Sequence, residues 1–292
     1  MALIEKLNAI GDAIRGKTYK EDKLTLEQMA TEIEGIEVGG NTDMEDGLIS
    51  GTVTDYTNDR VTELRPNAFY TLPSLKTVNL PNVKSVGSYA FYRCTNLQSA
   101  SLPNADTLTA ASGGAKGSSM FSSCSSLESA YFPALKEMAE RMFDQCTSLK
   151  IVNLSSAESV NAASFNSCTA LKDIYLPNVK TIYSNGFSKC SALERAVFDK
   201  SVGFIRQTIF NDCSSLIALV LRGETLSTLS YTNVFTGTPI ESGTGYIYVP
   251  RALLSDEDAT MDYRRATNWI AFAEQFRAIE DYPEICGGAE ND

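Results

Sequence analysis

The feature that most constrains this chain is a phrase repeated six times, Phe-x-x-Cys-x-x-Leu. The copies are Phe91-Cys94-Leu97, Phe121-Cys124-Leu127, Phe143-Cys146-Leu149, Phe165-Cys168-Leu171, Phe187-Cys190-Leu193 and Phe210-Cys213-Leu216. The Phe-to-Phe steps are 30, 22, 22, 22 and 23 residues. Self-similarity at such a period predicts a solenoid, in which each unit buries its apolar face on its neighbours. Solenoids mostly present surfaces and seldom house reaction chemistry, so the repeat already bears on function.

After each Leu comes a strand-like phrase: KTVNLP (76–81), QSASLP (98–103), ESAYFP (128–133), KIVNLS (150–155), KDIYLP (172–177), ERAVFD (194–199) and IALVLR (217–222). Their period-two alternation puts apolar residues on one side and variable residues on the other. Stacked in register, the phrases predict a parallel sheet with one buried face. A second short β segment follows in each unit, as at Lys84-Ser85-Val86 and Thr181-Ile182. The Ala-Phe-x-x-Cys-x-x-Leu stretch then reads as a short helical or 3₁₀ turn with its apolar residues inward. An atypical first unit carries Phe69, Leu72 and Leu75. The 30-residue unit holds an insertion, TLTAASGGAKGSSM (107–120), whose Gly, Ser and Ala content predicts a protruding mobile loop and a second contact site. Its GGAKGSS run lacks the G-x-x-x-x-G-K-[ST] spacing of a phosphate loop.

The ends differ from the array. Leu3, Ile4, Leu7, Ile10, Ala13 and Ile14 recur at helical spacing, and Gly16 stops the run. Thr25 and Gln28 form a capping box before Leu26, Met29, Ile33 and Ile36. Residues 1–37 therefore read as a helical hairpin, too small for a sizeable core of its own. It needs a partner or a copy of itself. Residues 38–48 (VGGNTDMEDGL) read as a linker, 49–250 as the solenoid, and 251–292 as a cap and tail. The cap carries Trp269, Phe272, Phe276 and Ile279 at helical spacing, with Trp269 expected over the last repeat's open core.

Net charge is −11, which disfavours nucleic acid and anionic membrane surfaces as partners. No apolar run approaches 18 residues, so no membrane insertion is expected. Glu5, Lys6 and Asp12 interrupt any signal-peptide core; with Met1 as the native start, export by the usual route is not expected. Six of the seven cysteines share one repeat position. A strict ladder favours buried reduced thiols acting as small hydrophobes over disulfides, which would distort alternate rungs. Cys286 is the odd one, near the tail, with exposure open to it. There is no histidine and no CxxC pair, so neither zinc nor a Ser-His-Asp or Cys-His arrangement has support. The SDED run at 255–258 lacks the glycine turn and distal Glu of a calcium loop. No cofactor, metal or catalytic residue is expected.

The alternation points instead to an exposed sheet face of Thr77, Asn79, Ser99, Ser101, Ser129, Tyr131, Ile151, Asn153, Asp173, Tyr175, Arg195, Val197, Ala218 and Val220. Within it Tyr131, Asn153, Asp173, Tyr175 and Arg195 are the candidate ligand-binding residues. Tyr, Asn and Arg combine rigid contact area with adaptable hydrogen bonding, and Tyr131, Asn153 and Tyr175 fall in consecutive repeats. The opposing reading is that Tyr is there for its β propensity alone.

The repeat pattern A-F-x-x-C-x-x-L-x-x-[VAI]-x-[LF]-P, over about residues 58–250, closely resembles the BspA-like leucine-rich repeat family, as does the ending "YIYVP … Y … ATNWIAFAEQFRAIE". The resemblance implies an α/β leucine-rich repeat solenoid. For function it implies a non-enzymatic binding protein, since such repeats occur in bacterial surface adhesins, secreted virulence-type proteins and phage structural proteins. The phrases "AIGDAIRGKT" and "KLTLEQMATEIEGI" resemble a short module at the start of tail or other virion proteins of Firmicute phages. Together these imply a virion component assembled in the bacterial cytoplasm. It would be anchored through residues 1–37 to a virion structural protein or to itself, and the repeats would contact a host-surface protein or glycan. The alternative is a cell-surface or secreted leucine-rich repeat adhesin.

Overall fold

The computed structural model describes residues 53–110, 118–255 and 258–286. The chain divides into two units, 1–46 and 47–292, and all described residues belong to the second. The expected helical hairpin (1–37), the linker (38–48) and the centre of the insertion (111–117) lie outside the described residues.

The strand phrases form parallel strands, as their alternation predicts. Strands β1 (Asp55–Thr57), β3 (Thr77–Asn79), β5 (Ser99–Ser101), β7 (Ser129–Tyr131) and β8 (Ile151–Asn153) make one five-stranded half of the main sheet. Strands β10 (Asp173–Tyr175), β12 (Arg195–Phe198), β14 (Ala218–Leu221), β16 (Tyr246–Val249) and β17 (Phe276–Ala278) make the other. The register is strict. Tyr56, Val78, Ala100, Ala130 and Val152 stand side by side, as do Ile174, Ala196, Leu219, Ile247 and Phe276. All ten are buried. The second β segments also pair in parallel. β2 (Glu63–Leu64), β4 (Ser85–Gly87) and β6 (Thr107–Thr109) form one sheet; β9 (Ser159–Val160), β11 (Thr181–Ile182), β13 (Phe204–Ile205) and β15 (Thr228–Leu229) form another.

Opposite the main sheet runs the repeated turn. The i+3 bonds of a tight turn are present: Cys94 N–H donates to Phe91 O and Leu97 N–H to Cys94 O. The turn nonetheless departs from a uniform helical turn. In the units from Phe69 to Phe210, the residues two before and two after the phenylalanine are left-handed and none is glycine. Examples are Tyr89 (φ 60°) and Arg93 (φ 56°), Arg141 (54°) and Gln145 (61°), and Ala163 (55°) and Ser167 (62°). Each such residue costs roughly 1–2 kcal/mol. The cost is offset by a hydrogen-bond ladder: the N–H groups of Tyr89, Phe91 and Arg93 donate to Ser118, Met120 and Ser122, and equivalent triplets link the later units. The alternating hand lets every second peptide bond along the solenoid rather than around it.

Inside the turn the phenylalanines form one continuous stack, Phe69, Phe91, Phe121, Phe143, Phe165, Phe187, Phe210 and Phe235. Successive centroids are 4.9–5.8 Å apart and the planes are within 20° of parallel. Aromatic pairs of this kind contribute about 0.5–1.5 kcal/mol each beyond burial. Beside the stack run the cysteines, all free and buried. They are more than small hydrophobes. Each repeat thiol donates to the carbonyl of the phenylalanine one unit back: Cys94 to Phe69, Cys124 to Phe91, Cys146 to Phe121, Cys168 to Phe143, Cys190 to Phe165 and Cys213 to Phe187, at 2.9–3.2 Å. Burial pushes the Cys94 thiol up to about 11 and raises Cys124, Cys146 and Cys190 well above the ordinary value, which keeps the donors protonated.

The far end is closed as expected by Trp269, whose ring lies 6.3 Å from Phe235, and by Phe272, edge-on at 5.0 Å. The helical spacing of 269–279 is not realised as one helix. Trp269–Gln275 is 3₁₀, and the chain then becomes strand β17, which extends the main sheet. The Trp269 indole N–H donates to Ser227 O at 2.7 Å, and the Tyr263 hydroxyl bonds both the N–H and the hydroxyl of Ser227. The fully buried Asp262 receives the backbone N–H, Nε and Nη2 of Arg264, with Arg265 at 3.6 Å. Burial alone pushes the Asp262 carboxyl up, but the Arg264 hydrogen bonds and the two positive charges outweigh it and hold the carboxyl below its ordinary 3.8.

Three outcomes follow. Cys168→Ala removes a buried donor and leaves a small void, so urea unfolding should show a loss of about 1–3 kcal/mol. Ala163→Gly relieves a left-handed alanine and should raise the unfolding free energy by about 0.5 kcal/mol after the entropy of the unfolded glycine is counted, read from urea unfolding. Asp262 has a folded pKa below its unfolded one, so its stabilisation is complete above the unfolded value and fades as pH falls through the folded one. Asp262→Asn should therefore cost about 2 kcal/mol at neutral pH, and the gap between the two proteins should narrow only below about pH 4 in acid titrations of the unfolding midpoint.

Candidate functional site

The outward positions of the main sheet form two columns. In the first half these are Asp55, Thr77, Ser99, Ser129 and Ile151, and Thr57, Asn79, Ser101, Tyr131 and Asn153. This half is open and mostly small and polar, with two large exceptions: Tyr131 is 45% exposed and Ile151 65%. Asn153 lies next to Tyr131 in register and is half-buried. The predicted pair Tyr131 and Asn153 is thus brought together, with Ile151 completing the patch.

The second half is different. Its columns are Asp173, Arg195, Ala218 and Tyr246, and Tyr175, Val197, Val220, Tyr248 and Arg277. Val197, Ala218 and Val220, expected to be exposed, are buried at 1%, 3% and 0% exposure. The chain's own C-terminal segment covers them. After β17 a 3₁₀ turn (Ile279–Asp281) and one turn of α-helix (Pro283–Cys286) bring Tyr282, Ile285 and Cys286 onto this face. Cys286 is correspondingly buried; desolvation pushes its thiol up to about 11, with Arg222 and Arg195 pulling the other way.

Two arginines hold the segment. Arg195 bonds Asp173 Oδ1 through Nε at 3.0 Å and donates through Nη1 to Ile285 O at 3.1 Å. Arg222 bonds Asp199 Oδ1 at 2.8 Å and donates through Nη2 to Cys286 O. The Tyr175 hydroxyl donates to the other oxygen of Asp199. Tyr282 packs edge-on against Tyr248 at 5.4 Å, and Arg277 lies 4.3 Å over the Tyr246 ring. The candidates Asp173, Tyr175 and Arg195 are therefore gathered, but with a resident occupant; Tyr175 falls in the other half-sheet from Tyr131 and Asn153. Sequence reasoning missed Asp199, Arg222 and Ile285. The first two stand where most repeats place proline at the strand end (Pro81, Pro103, Pro133, Pro177), which is the signal that marks them.

Among the described residues no group of three or more His, Cys, Asp or Glu side chains gathers as a metal site. No described helix is long and apolar enough to cross a membrane. Asp256 and Glu257 of the SDED run lie outside the described residues; Asp258 accepts the Thr260 N–H and hydroxyl at 2.9 and 2.6 Å.

A stack of parallel strands closed by inward Phe, Cys and Leu defines a leucine-rich repeat solenoid. More narrowly, the chain belongs to the BspA-type leucine-rich repeat family: the description "BspA type Leucine rich repeat region (6 copies)" matches residues 55–150 and 117–217, over half of the chain. No curated protein matches. Among solved structures, a leucine-rich cell surface protein from Faecalibacterium prausnitzii A2-165 is 24% identical, with TM-score 0.44, over 65% of this chain and 58% of that one. This chain thus spans under two thirds of that relative. The T. pallidum leucine-rich repeat protein is 24% identical over 61% and 70% of the two chains, with TM-score 0.42. The pneumococcal vaccine antigen PcpA is 11% identical over 77% and 81%, with TM-score 0.41.

Proposed function

We propose that this protein is a non-enzymatic binding protein whose outward sheet face is its recognition surface. The observation that carries the reading is the open patch of Tyr131, Ile151 and Asn153: two large exposed side chains on a half-sheet otherwise faced with Ser, Thr, Asn and the edge residue Asp55. A tyrosine and an aliphatic residue amid small hydrogen-bonding groups suit a weak, specific contact that gains strength from many copies.

The finer reading is a bacteriophage virion component, a tail or other surface-exposed protein. Residues 1–37 would join a virion structural protein or a second copy, and the repeats would meet a host-surface protein or glycan. Its support is the resemblance of residues 1–37 to virion modules. Family membership in the BspA-type repeats favours a second reading, a bacterial cell-surface or secreted adhesin.

Mass spectrometry of purified virions separates the two, and absence of the chain from particles removes the first. For the surface itself, Tyr131→Ala with Ile151→Ala should lower binding to intact host cells at least tenfold while leaving the unfolding free energy within about 0.5 kcal/mol, as for exposed positions generally. Unchanged binding would remove this patch as the recognition site.

A further inference from the structure

The closed half of the sheet carries its own description of what it binds. Both guanidinium contacts to the resident segment end on main-chain carbonyls, those of Ile285 and Cys286. Each guanidinium is aimed by a carboxylate, Asp173 for Arg195 and Asp199 for Arg222. The floor beneath is aliphatic (Val197, Ala218, Val220) where the open half is polar. This arrangement reads a peptide backbone with an apolar side chain below it, and depends little on side-chain identity in the occupant.

The occupant leaves space. A cavity of about 420 Å³ remains beside Ile285, walled by Asp173, Glu194, Arg195, Ile217 and Tyr246. Ile217 is 53% exposed at its mouth. Asp173 is paired with Arg195 in this wall, which leaves the Glu194 carboxylate to favour a positive charge on whatever enters. The resident segment is short: a 3₁₀ turn and one α-turn, with Ile285 N–H and Cys286 N–H both bonded to Tyr282 O. What holds it is confined to the two arginine–carbonyl bonds, the Tyr282–Tyr248 ring contact and the packing of Ile285 and Cys286, so its release is a local opening that leaves the repeat ladder intact.

We propose that the face of β10, β12, β14 and β16 is a polypeptide-docking site and that Tyr282–Cys286 is its internal ligand. A partner segment enters by displacing it. The partner's chemistry follows from the groove: two adjacent main-chain carbonyls for Arg195 and Arg222, an aliphatic or aromatic side chain for the floor and cavity, and a flanking Lys or Arg for Glu194. The proposal rests on the reading of the outward sheet face as the recognition surface and sharpens the partner to a protein segment.

The test uses the full chain and a fluorescein-labelled peptide of residues 281–286, so it requires no host ligand. Ile285→Asp places a charge on the apolar floor and should release the segment, seen as loss of hydrogen-exchange protection at the Ile285 and Cys286 amides. That variant should bind the peptide at least tenfold more tightly than the unaltered protein by fluorescence polarisation, and Ile285→Ala should give a smaller gain. Adding Arg195→Ala and Arg222→Ala to Ile285→Asp should abolish the gain. Retained protection in Ile285→Asp, equal binding by the variant and the unaltered protein, or a gain that survives loss of both arginines would each overturn the proposal. A glycan array bound by Ile285→Asp in place of the peptide would do so as well. None of these outcomes touches the Tyr131 and Ile151 patch, whose failure in cell binding is read separately.

Discussion

The structure hangs on one atom per repeat, the phenylalanine carbonyl oxygen. In five of the units it accepts two donors: the N–H of its own cysteine three residues on, and the thiol of the cysteine in the next unit. For Phe91 these are Cys94 N at 3.2 Å and Cys124 Sγ at 3.0 Å. Both lone pairs are used in a dry interior, where an unmet acceptor is expensive. The same bond ties each unit to the next beside the stacked rings, alongside the backbone ladders of strand and turn that space the units. It also explains the atypical ends. The first unit has Leu72 at the cysteine position, with no phenylalanine carbonyl behind it among the described residues. The last has Thr238, whose hydroxyl turns to its own unit's Phe235 O at 2.7 Å.

Because the inward ladder is self-sufficient, the outward positions are released from structural duty, and the two halves of the main sheet use that freedom differently. One half keeps small polar groups with an isolated tyrosine and isoleucine. The other sets Val197, Ala218 and Val220 outward between charged residues at its edges and takes a layer of its own chain. Strand β14, Ala218–Leu221, is buried at all four positions, the condition under which a strand loses its alternation and reads as a continuous apolar run.

Much of this was legible in the residues. The Phe, Cys and Leu positions, the buried strand column and the closure by Trp269 follow from periodicity, because stacking leaves only one direction in which an apolar repeat can point. Three things did not follow. Only Asn67, Asn185 and Asp212 among the repeated turn's left-handed positions are residue types that favour that region; at Tyr89, Arg93, Arg141 and Lys189 it is the inter-unit ladder that imposes the conformation. The cap's helical spacing was shared by a 3₁₀ segment and a strand, since Trp269 and Phe272 need only face Phe235 while Phe276 joins a sheet edge. The covered half of the face was signalled by RAVF and ALVL, whose outward valines and alanine have no reason to meet water. Without the segment that meets them, the signal pointed at burial but named no partner for it.

The turn ladder has a direction. In every unit its N–H groups face the following repeat and its carbonyls the preceding one. Peptides so aligned give the solenoid unlike poles, and at the donor pole Gly237 N–H meets the carboxylate of Glu241 at 2.8 Å. Growth of such a protein therefore belongs in its middle. A duplicated unit inserted between existing ones finds acceptors on one side and donors on the other, whereas a unit added past Phe235 would have to undo the acidic stopper first. Reach can change by whole repeats while both ends, and the segment folded over the last strands, stay as they are.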